Sequence, residues 1–355
     1  MINLNVNDLL SKLTPPNCCY RILIQETSPT MSSPESKQIF FDIRSVDIRN
    51  MDTEDVKKLL SENVPTILRG CNFGPCLDRW DLDYLSEKLK EYTVVIHESN
   101  DIELDFLCKN FKYSSCKFDE LVDKLKNSSC HVYYRSACKE PHAKKPARID
   151  EDLPILNDDL KPPGFIPYKG SELYYSSVLR IASTKIQIWT HFDLYDNVLC
   201  QTKGTKRVIL ISPDDTRFLY VNGDKSPVHN FENYGECIRE FPLVQRAKLF
   251  RAYLEPKDAI FIPTLWWHNI KTVCKDGNGA EGSIGFNIFW KDPVIASSSI
   301  YADKDVYGNR NLIPYDAAVT NLDRALNHLD KLPKKYRKFY QYMLLERLKT
   351  RISKD

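Results

Sequence analysis

The sequence predicts a mainly β protein with flanking helices, and three observations predict it. Between Glu172 and Lys291, short runs rich in Val, Ile, Phe and Trp follow one another with turn residues between them, which is the pattern of an all-β core. Before that stretch, from Ile39 to about Tyr113, helical and strand patterns alternate. After it, Ala318, Leu322, Ala325, Leu326 and Leu329 recur at helical spacing.

In chain order, residues 1–38 read as a poorly patterned N-terminal extension. Their Ser- and Pro-rich stretch 28–37 is a linker. Residues 39–171 form an N-terminal α/β part. Within it Asp52-Thr-Glu-Asp55 opens a helix with a capping residue and an acidic first turn. Pro65 to Arg69 is a strand, and Arg79 to Tyr92 is a second helix. Residues 139–172 hold six prolines and are expected to be a long surface loop. Residues 172–291 form the β core, and strands in such quick succession fit a double-stranded β-helix of jelly-roll type. Residues 292–355 form a C-terminal helical region, in which Pro333 starts a second helix.

Composition narrows the function classes. The chain has 355 residues, is 42% apolar and carries a net charge of +2, so overall charge alone predicts no polyanion partner. Charge is concentrated instead: residues 331–355 hold nine Lys or Arg against Glu346 and Asp355, a local +7. Eleven cysteines without a CxxC pair suggest reduced thiols in a cytoplasmic or nuclear compartment. No apolar run of about 18 residues exists, so no membrane span is expected. The first residues lack the basic and apolar regions of a secretory leader.

The chemistry is carried by three residues. His191 and Asp193 lie in Ile-Gln-Ile-Trp-Thr-His-Phe-Asp (186–193), a strand pattern, where residues i and i+2 share a face. His268 ends the apolar run Phe-Ile-Pro-Thr-Leu-Trp-Trp-His (261–268). Two imidazoles and one carboxylate on one side of a metal leave about three octahedral positions open, the site type of non-haem Fe(II) oxygenases. An isolated His-x-Asp is common in strands, and Lys206 makes this one specific. The segment 197–212 reads as a β-hairpin about Gly204-Thr205. That register pairs Lys203 with Lys206 and turns Asn197 and Lys206 to one face. An inward ammonium needs an anion, and a dicarboxylate ligand would supply one. The remaining histidines, His97, His131, His142, His229 and His328, have no partner at ligand spacing.

His-Phe-Asp, Asn197, Thr-Lys-Gly-Thr-Lys-Arg (202–207), Ile-Pro-Thr-Leu-Trp-Trp-His-Asn (262–269) and Gly-Phe-Asn-Ile-Phe-Trp (285–290) resemble the JmjC-domain 2-oxoglutarate oxygenases, in their hydroxylase branch. The resemblance runs from about Val64 to about Tyr340. It includes the peripheral stretches 73–86, 109–113, 305–309 and 332–340, which resemble tRNA-modifying members of that branch. It implies Fe(II) on His191, Asp193 and His268. It also implies 2-oxoglutarate and O2 as co-substrates, with Lys206 on the far carboxylate assisted by Tyr133 (preferred to Tyr134), Asn197 and Asn287. The implied reaction hydroxylates the amino-carboxypropyl side chain of a wyosine-derivative base beside the anticodon of phenylalanine tRNA. A homodimer through the C-terminal helices is implied as well. Arg180 flanks the site strands and can face a substrate, and Lys334, Lys335, Arg337 and Lys338 are candidate RNA contacts. Lys257 departs from the family, which usually has Gly at that turn. Two other functions share these residues. One is a protein hydroxylase or demethylase on the same fold; the other is a metal-binding cupin-like module without turnover, against which Lys206 argues.

Overall fold

The computed structural model describes residues 40–105, 108–273, 282–296, 299–302 and 304–353; the N-terminal extension 1–38 lies outside the described residues. The strands are β1 (Phe41–Asp42), β2 (Arg44–Asp47), β3 (Thr66–Arg69), β4 (Thr93–Ser99), β5 (Glu103–Leu104), β6 (Lys112–Lys117), β7 (His131–Arg135) and β8 (Tyr174–Ala182). They continue as β9 (Gln187–His191), β10 (Asp196–Lys203), β11 (Thr205–Ile211), β12 (Lys225–Ser226), β13 (Leu249–Leu254), β14 (Ala259–Ile262), β15 (Trp267–Val273) and β16 (Ser283–Trp290). They form two sheets. One runs β2-β3-β14-β10-β16-β8-β7-β4-β6; the other runs β1-β13-β11-β15-β9-β12, with β5 added beside β9. Eight antiparallel strands divided between two facing sheets, β8, β10, β14 and β16 against β9, β11, β13 and β15, make the jelly roll that the sequence predicts.

Alternation along β16 explains the layering. Ile284, Phe286 and Ile288 point out into a core shared with the helices Leu82–Leu89 and Phe118–Asn127. Asn287 points the other way, into the space between the sheets. A strand covered on both sides reads as a continuous apolar run, which hides its neighbours from the sequence. The hairpin expected at 197–212 is corrected for that reason. β10 pairs with β14 and β16, and β11 pairs with β13 and β15. Both are interior strands needing two neighbours each. Gly204, at φ +70°, carries the chain from one sheet to the other, and a Cβ there would meet the Gly282 carbonyl at 2.6 Å. Asn197 and Lys206 still reach one cavity, but from opposite sheets.

The helix Thr53–Ser61 begins at its expected cap, Asp52, whose carboxylate accepts from Asp55 N. The helix expected from Arg79 to Tyr92 is two pieces, Cys76–Arg79 and Leu82–Leu89. Asp81 caps the second by accepting from Tyr84 N (2.8 Å). Trp80 between them is drawn into the core against Phe286. The Pro-rich segment is less of a surface loop than expected. It holds the helix Ile149–Asp152 and buries Asp150, Asp152 and Asp159. Asp159 accepts from Trp80 Nε1 (3.2 Å) and the Tyr84 hydroxyl (2.6 Å). The two C-terminal helices, Ile313–Asp330 and Lys334–Ile352, bury no residue. Among the described residues no disulfide forms, and no helix is long and apolar enough to cross a membrane.

Lys257 adopts φ +75° in the turn closed by Asp258 N donating to Glu255 O (3.0 Å). A non-glycine residue there is strained by about 1–2 kcal/mol, while glycine loses about 0.5–1 kcal/mol more backbone entropy on folding. The Lys257–Asp78 pair is exposed on both sides and adds little. Lys257→Gly is therefore expected to stabilise the protein by roughly 0.5–1 kcal/mol. The urea midpoint measures this, and a lower midpoint would refute strain at the turn.

Candidate metal centre and its pocket

His191 ends β9 and His268 is the second residue of β15; the two are register partners on neighbouring strands. Their ring centroids lie 4.2 Å apart. Asp193 follows β9 in a loop pinned by Leu265 N donating to Asp193 O (2.9 Å). Its Oδ2 stands 3.5 Å from His268 Nε2. One ligand atom from each of the three residues falls within 4.8 Å of the others.

Both imidazoles are oriented by their own backbone. His191 Nδ1 lies 2.8 Å from Trp189 O, and His268 Nδ1 lies 3.0 Å from Trp266 O. A carbonyl only accepts, so Nδ1 carries the proton and Nε2 keeps its lone pair for the cavity. Burial pushes His191 well below the usual imidazole range, with the His268 imidazole adding to the shift. Burial also raises the Asp193 carboxyl, opposed by His268.

The triad opens into a pocket of about 530 Å³, its mouth included, between the two sheets. Tyr133, Arg180, Asn197, Lys206 and Asn287 line it with the triad, so the structure brings these sequence-predicted residues together. Their hydrogen bonds have one direction. A guanidinium only donates. Arg180 Nε donates to Asn287 Oδ1 (2.8 Å), which turns the Asn287 amide nitrogen to Asn197 Oδ1 (2.8 Å). That leaves the Asn197 N–H groups for the cavity. Arg180 Nη1 also donates to the Tyr133 hydroxyl oxygen, which leaves that hydroxyl its own proton to give. The wall therefore offers donors, and it suits an acceptor such as a carboxylate.

Lys206 completes it. The side chain is 5% exposed, and no acidic residue among the described residues forms an ion pair with it. Burial, with Arg180 nearby, pushes its ammonium down to about 7. Tyr134, the alternative to Tyr133, points away into the core against Phe118. Tyr174 is in that core as well, donating to Asp150 (2.7 Å). Lys334, Lys335, Arg337 and Lys338 lie on the last helix and do not line the pocket. Two positions went unread in the sequence. Thr272 lines the cavity as the register partner of Lys206. Gly285 has no Cβ, and one would sit 3.2 Å from Lys206 Nζ. A glycine inside a strand marks such a close approach, and it was the available signal.

A family model described as the cupin-like domain matches residues 13–295. The chain is 37% identical over 293 residues to tRNA wybutosine-synthesizing protein 5 of Homo sapiens, covering 80% of this chain and 88% of that protein. It is 36% identical over 292 residues to the Gallus gallus protein of the same name, covering 80% and 87%. It is also 33% identical over 307 residues to tRNA wybutosine-synthesizing protein 4 of Neurospora crassa, covering 85% of this chain and 24% of that longer protein.

Proposed function

This chain belongs to the cupin-like domain family, and from that membership we propose that it is an Fe(II)- and 2-oxoglutarate-dependent hydroxylase. Its substrate is the wyosine-derivative base beside the anticodon of phenylalanine tRNA. The relatives named for wybutosine synthesis support the substrate. One observation carries the reaction class: a buried lysine with no acidic partner among the described residues shares a donor-lined pocket with two imidazoles and a carboxylate.

The donor set fits the metal. His191, Asp193 and His268 would hold Fe(II) and leave about three positions open. A divalent cation would also stabilise the charged form of the Asp193 carboxylate, which burial disfavours. When bound, iron with 2-oxoglutarate and O2 supplies the oxidising power to insert one oxygen atom into a C–H bond. The chain's residues do the rest. Lys206 pairs with the far carboxylate of 2-oxoglutarate, and Tyr133 and Asn197 donate to the same ligand. Asn287 and Arg180 hold those donors in direction. The two sheets exclude water, which strengthens each of these interactions. The target base leaves its stack to reach the pocket, at a cost of a few kcal/mol. A base beside the anticodon already lies in a loop, which lowers that cost.

The basic tail supports an RNA partner. Lys334, Lys335, Arg337 and Lys338 occupy the start of the helix Lys334–Ile352, which has no acidic residue in its first turn. Cations are disfavoured at that end of a helix and anions are favoured. Arg337 is partly occupied by Asp330 (3.3 Å). The exposed Leu322, Tyr336, Phe339, Tyr340 and Met343 of the helix pair support a homodimer through these helices, which would set two basic patches side by side. Changing the four cations together to Ala is expected to weaken tRNA binding and leave 2-oxoglutarate binding intact. The slope of log affinity against log salt should fall by roughly 0.7–0.9 for each phosphate that the protein no longer neutralises. An unchanged slope would place the RNA elsewhere.

The test of the function uses purified protein, Fe(II), 2-oxoglutarate and tRNA carrying the unhydroxylated wyosine derivative, with the nucleoside weighed afterwards. A gain of one oxygen atom is expected. No gain, in a preparation that hydroxylates a protein peptide, would overturn the tRNA reading.

A further inference from the structure

Arg135 is the last residue of β7, two residues after Tyr133, so the two side chains share the face turned toward the pocket. Its register partner on β8 is Arg180. Two guanidinium groups therefore lie side by side on neighbouring strands and repel each other. They are not equivalent. Arg180 donates to Asn287 and to the Tyr133 hydroxyl. Arg135 has five N–H groups, yet its one side-chain hydrogen bond among the described residues is a weak one to Ser136 O, at 3.4 Å.

The arrangement holds this guanidinium in place without satisfying it. Its carbon lies 5.1 Å from the centre of the Tyr307 ring. Tyr307 belongs to a turn fixed by Asp305, whose carboxylate accepts from Gly308 N (2.9 Å) and Arg310 N (3.2 Å). No acidic side chain among the described residues forms an ion pair with Arg135. Asp193, a member of the triad, is near enough for its charge to act on Arg135. In the sheet Arg135 lies one strand beyond Arg180, further from β16 and from Asn287. A half-buried, oriented cation with unused donors calls for an anion.

We propose that Arg135 is a receptor for an oxyanion carried by the substrate, separate from the Lys206 end of the pocket. The assignment rests on the tRNA reading above, under which two oxyanions are available. One is the carboxylate on the amino-acid side chain of the modified base; the other is a backbone phosphate. A planar fork on the same face of β7 as Tyr133, next to Arg180, matches a carboxylate held at two points. The amino-acid side chain is also the part of the substrate that must come nearest the triad.

The experiment measures binding to the full-length protein by calorimetry. The probes are the nucleoside with its free-acid side chain, its methyl ester, and anticodon stem-loop RNAs carrying each. The proteins are wild type, Arg135→Gln and Arg135→Lys, with 2-oxoglutarate affinity as the control for an intact pocket. Arg135→Gln is expected to bind the free acid roughly 10- to 100-fold more weakly. The ester should bind the wild type with a similar deficit and weaken no further in the variant. Arg135→Lys, which keeps charge without the fork, should restore part of the affinity. Equal weakening of acid and ester stem-loops in Arg135→Gln, with a salt slope lower by about one, would keep the oxyanion site and assign it to phosphate. Wild-type affinity for every probe in Arg135→Gln would overturn the assignment alone. A matching loss of 2-oxoglutarate affinity would overturn it as well, by making Arg135 part of the co-substrate wall. Wild-type protein that binds none of the probes would overturn the tRNA reading and the assignment together.

Discussion

Asp193→Ala is expected to give a folded protein that no longer turns over 2-oxoglutarate. The side chain is the single carboxylate among the three ligand candidates and is nearly enclosed. Loss of a group that merely orients a ligand already costs about 10- to 100-fold in metal affinity, so loss of a ligand itself should exceed about 100-fold. The fold should not suffer. Burial raises the Asp193 carboxyl, which means that the unliganded protein carries an unfavourable charge there, and alanine removes it. Metal titration and succinate release measure the two halves of the prediction. Wild-type succinate release in the variant would show that the ligand assignment is wrong.

Lys206→Met should move two quantities in opposite directions. Binding of 2-oxoglutarate should weaken by about 10- to 100-fold, the loss of a charge-assisted partner. The unliganded protein should become more stable. Unfolded, the lysine keeps its proton up to about 10.5; folded, it keeps it only up to about 7. Between those values the unfolded chain binds more protons, so wild-type stability rises with pH across that window. The penalty is full below about 7 and vanishes above about 10.5. At neutral pH the methionine variant should gain on the order of 3 kcal/mol, and the gain should shrink as pH rises. Denaturant unfolding at pH 6.5 and pH 9.5 tests the sign. A variant less stable at both values would show that Lys206 is satisfied in the unliganded protein. The same shift predicts that affinity for 2-oxoglutarate falls as pH rises above about 7, because binding must then return a proton to the neutral amine.

The candidate triad was legible in part: His191 lies on a strand whose period the sequence displays, while Asp193, two residues on, falls just past the end of β9 in a loop and His268 opens β15 rather than ending a strand. Lys206 was legible through its motif, although the local argument for its direction was wrong. A glycine turn between two apolar runs reads as a hairpin, and only the burial of β10 and β11 on both faces makes each turn to other partners. Such long-range pairing leaves no local trace. Trp80 is another case. A helical period runs through Arg79 to Tyr92, but Asp81 offers a cap and the core offers Trp80 a cavity, so the helix restarts. The place of Arg135 beside Arg180 has no local trace either, since it comes from pairing between β7 and β8.

The place of β15 between β11 and β9 bears on how the protein is made. His191 and Asp193 leave the ribosome long before His268, and the strand that carries His268 must slot between two strands synthesised earlier. Until it does, β9 lacks its inner neighbour and the third ligand is missing. A nascent chain therefore presents only two of the three candidate ligands, and the site is completed only as the β core closes.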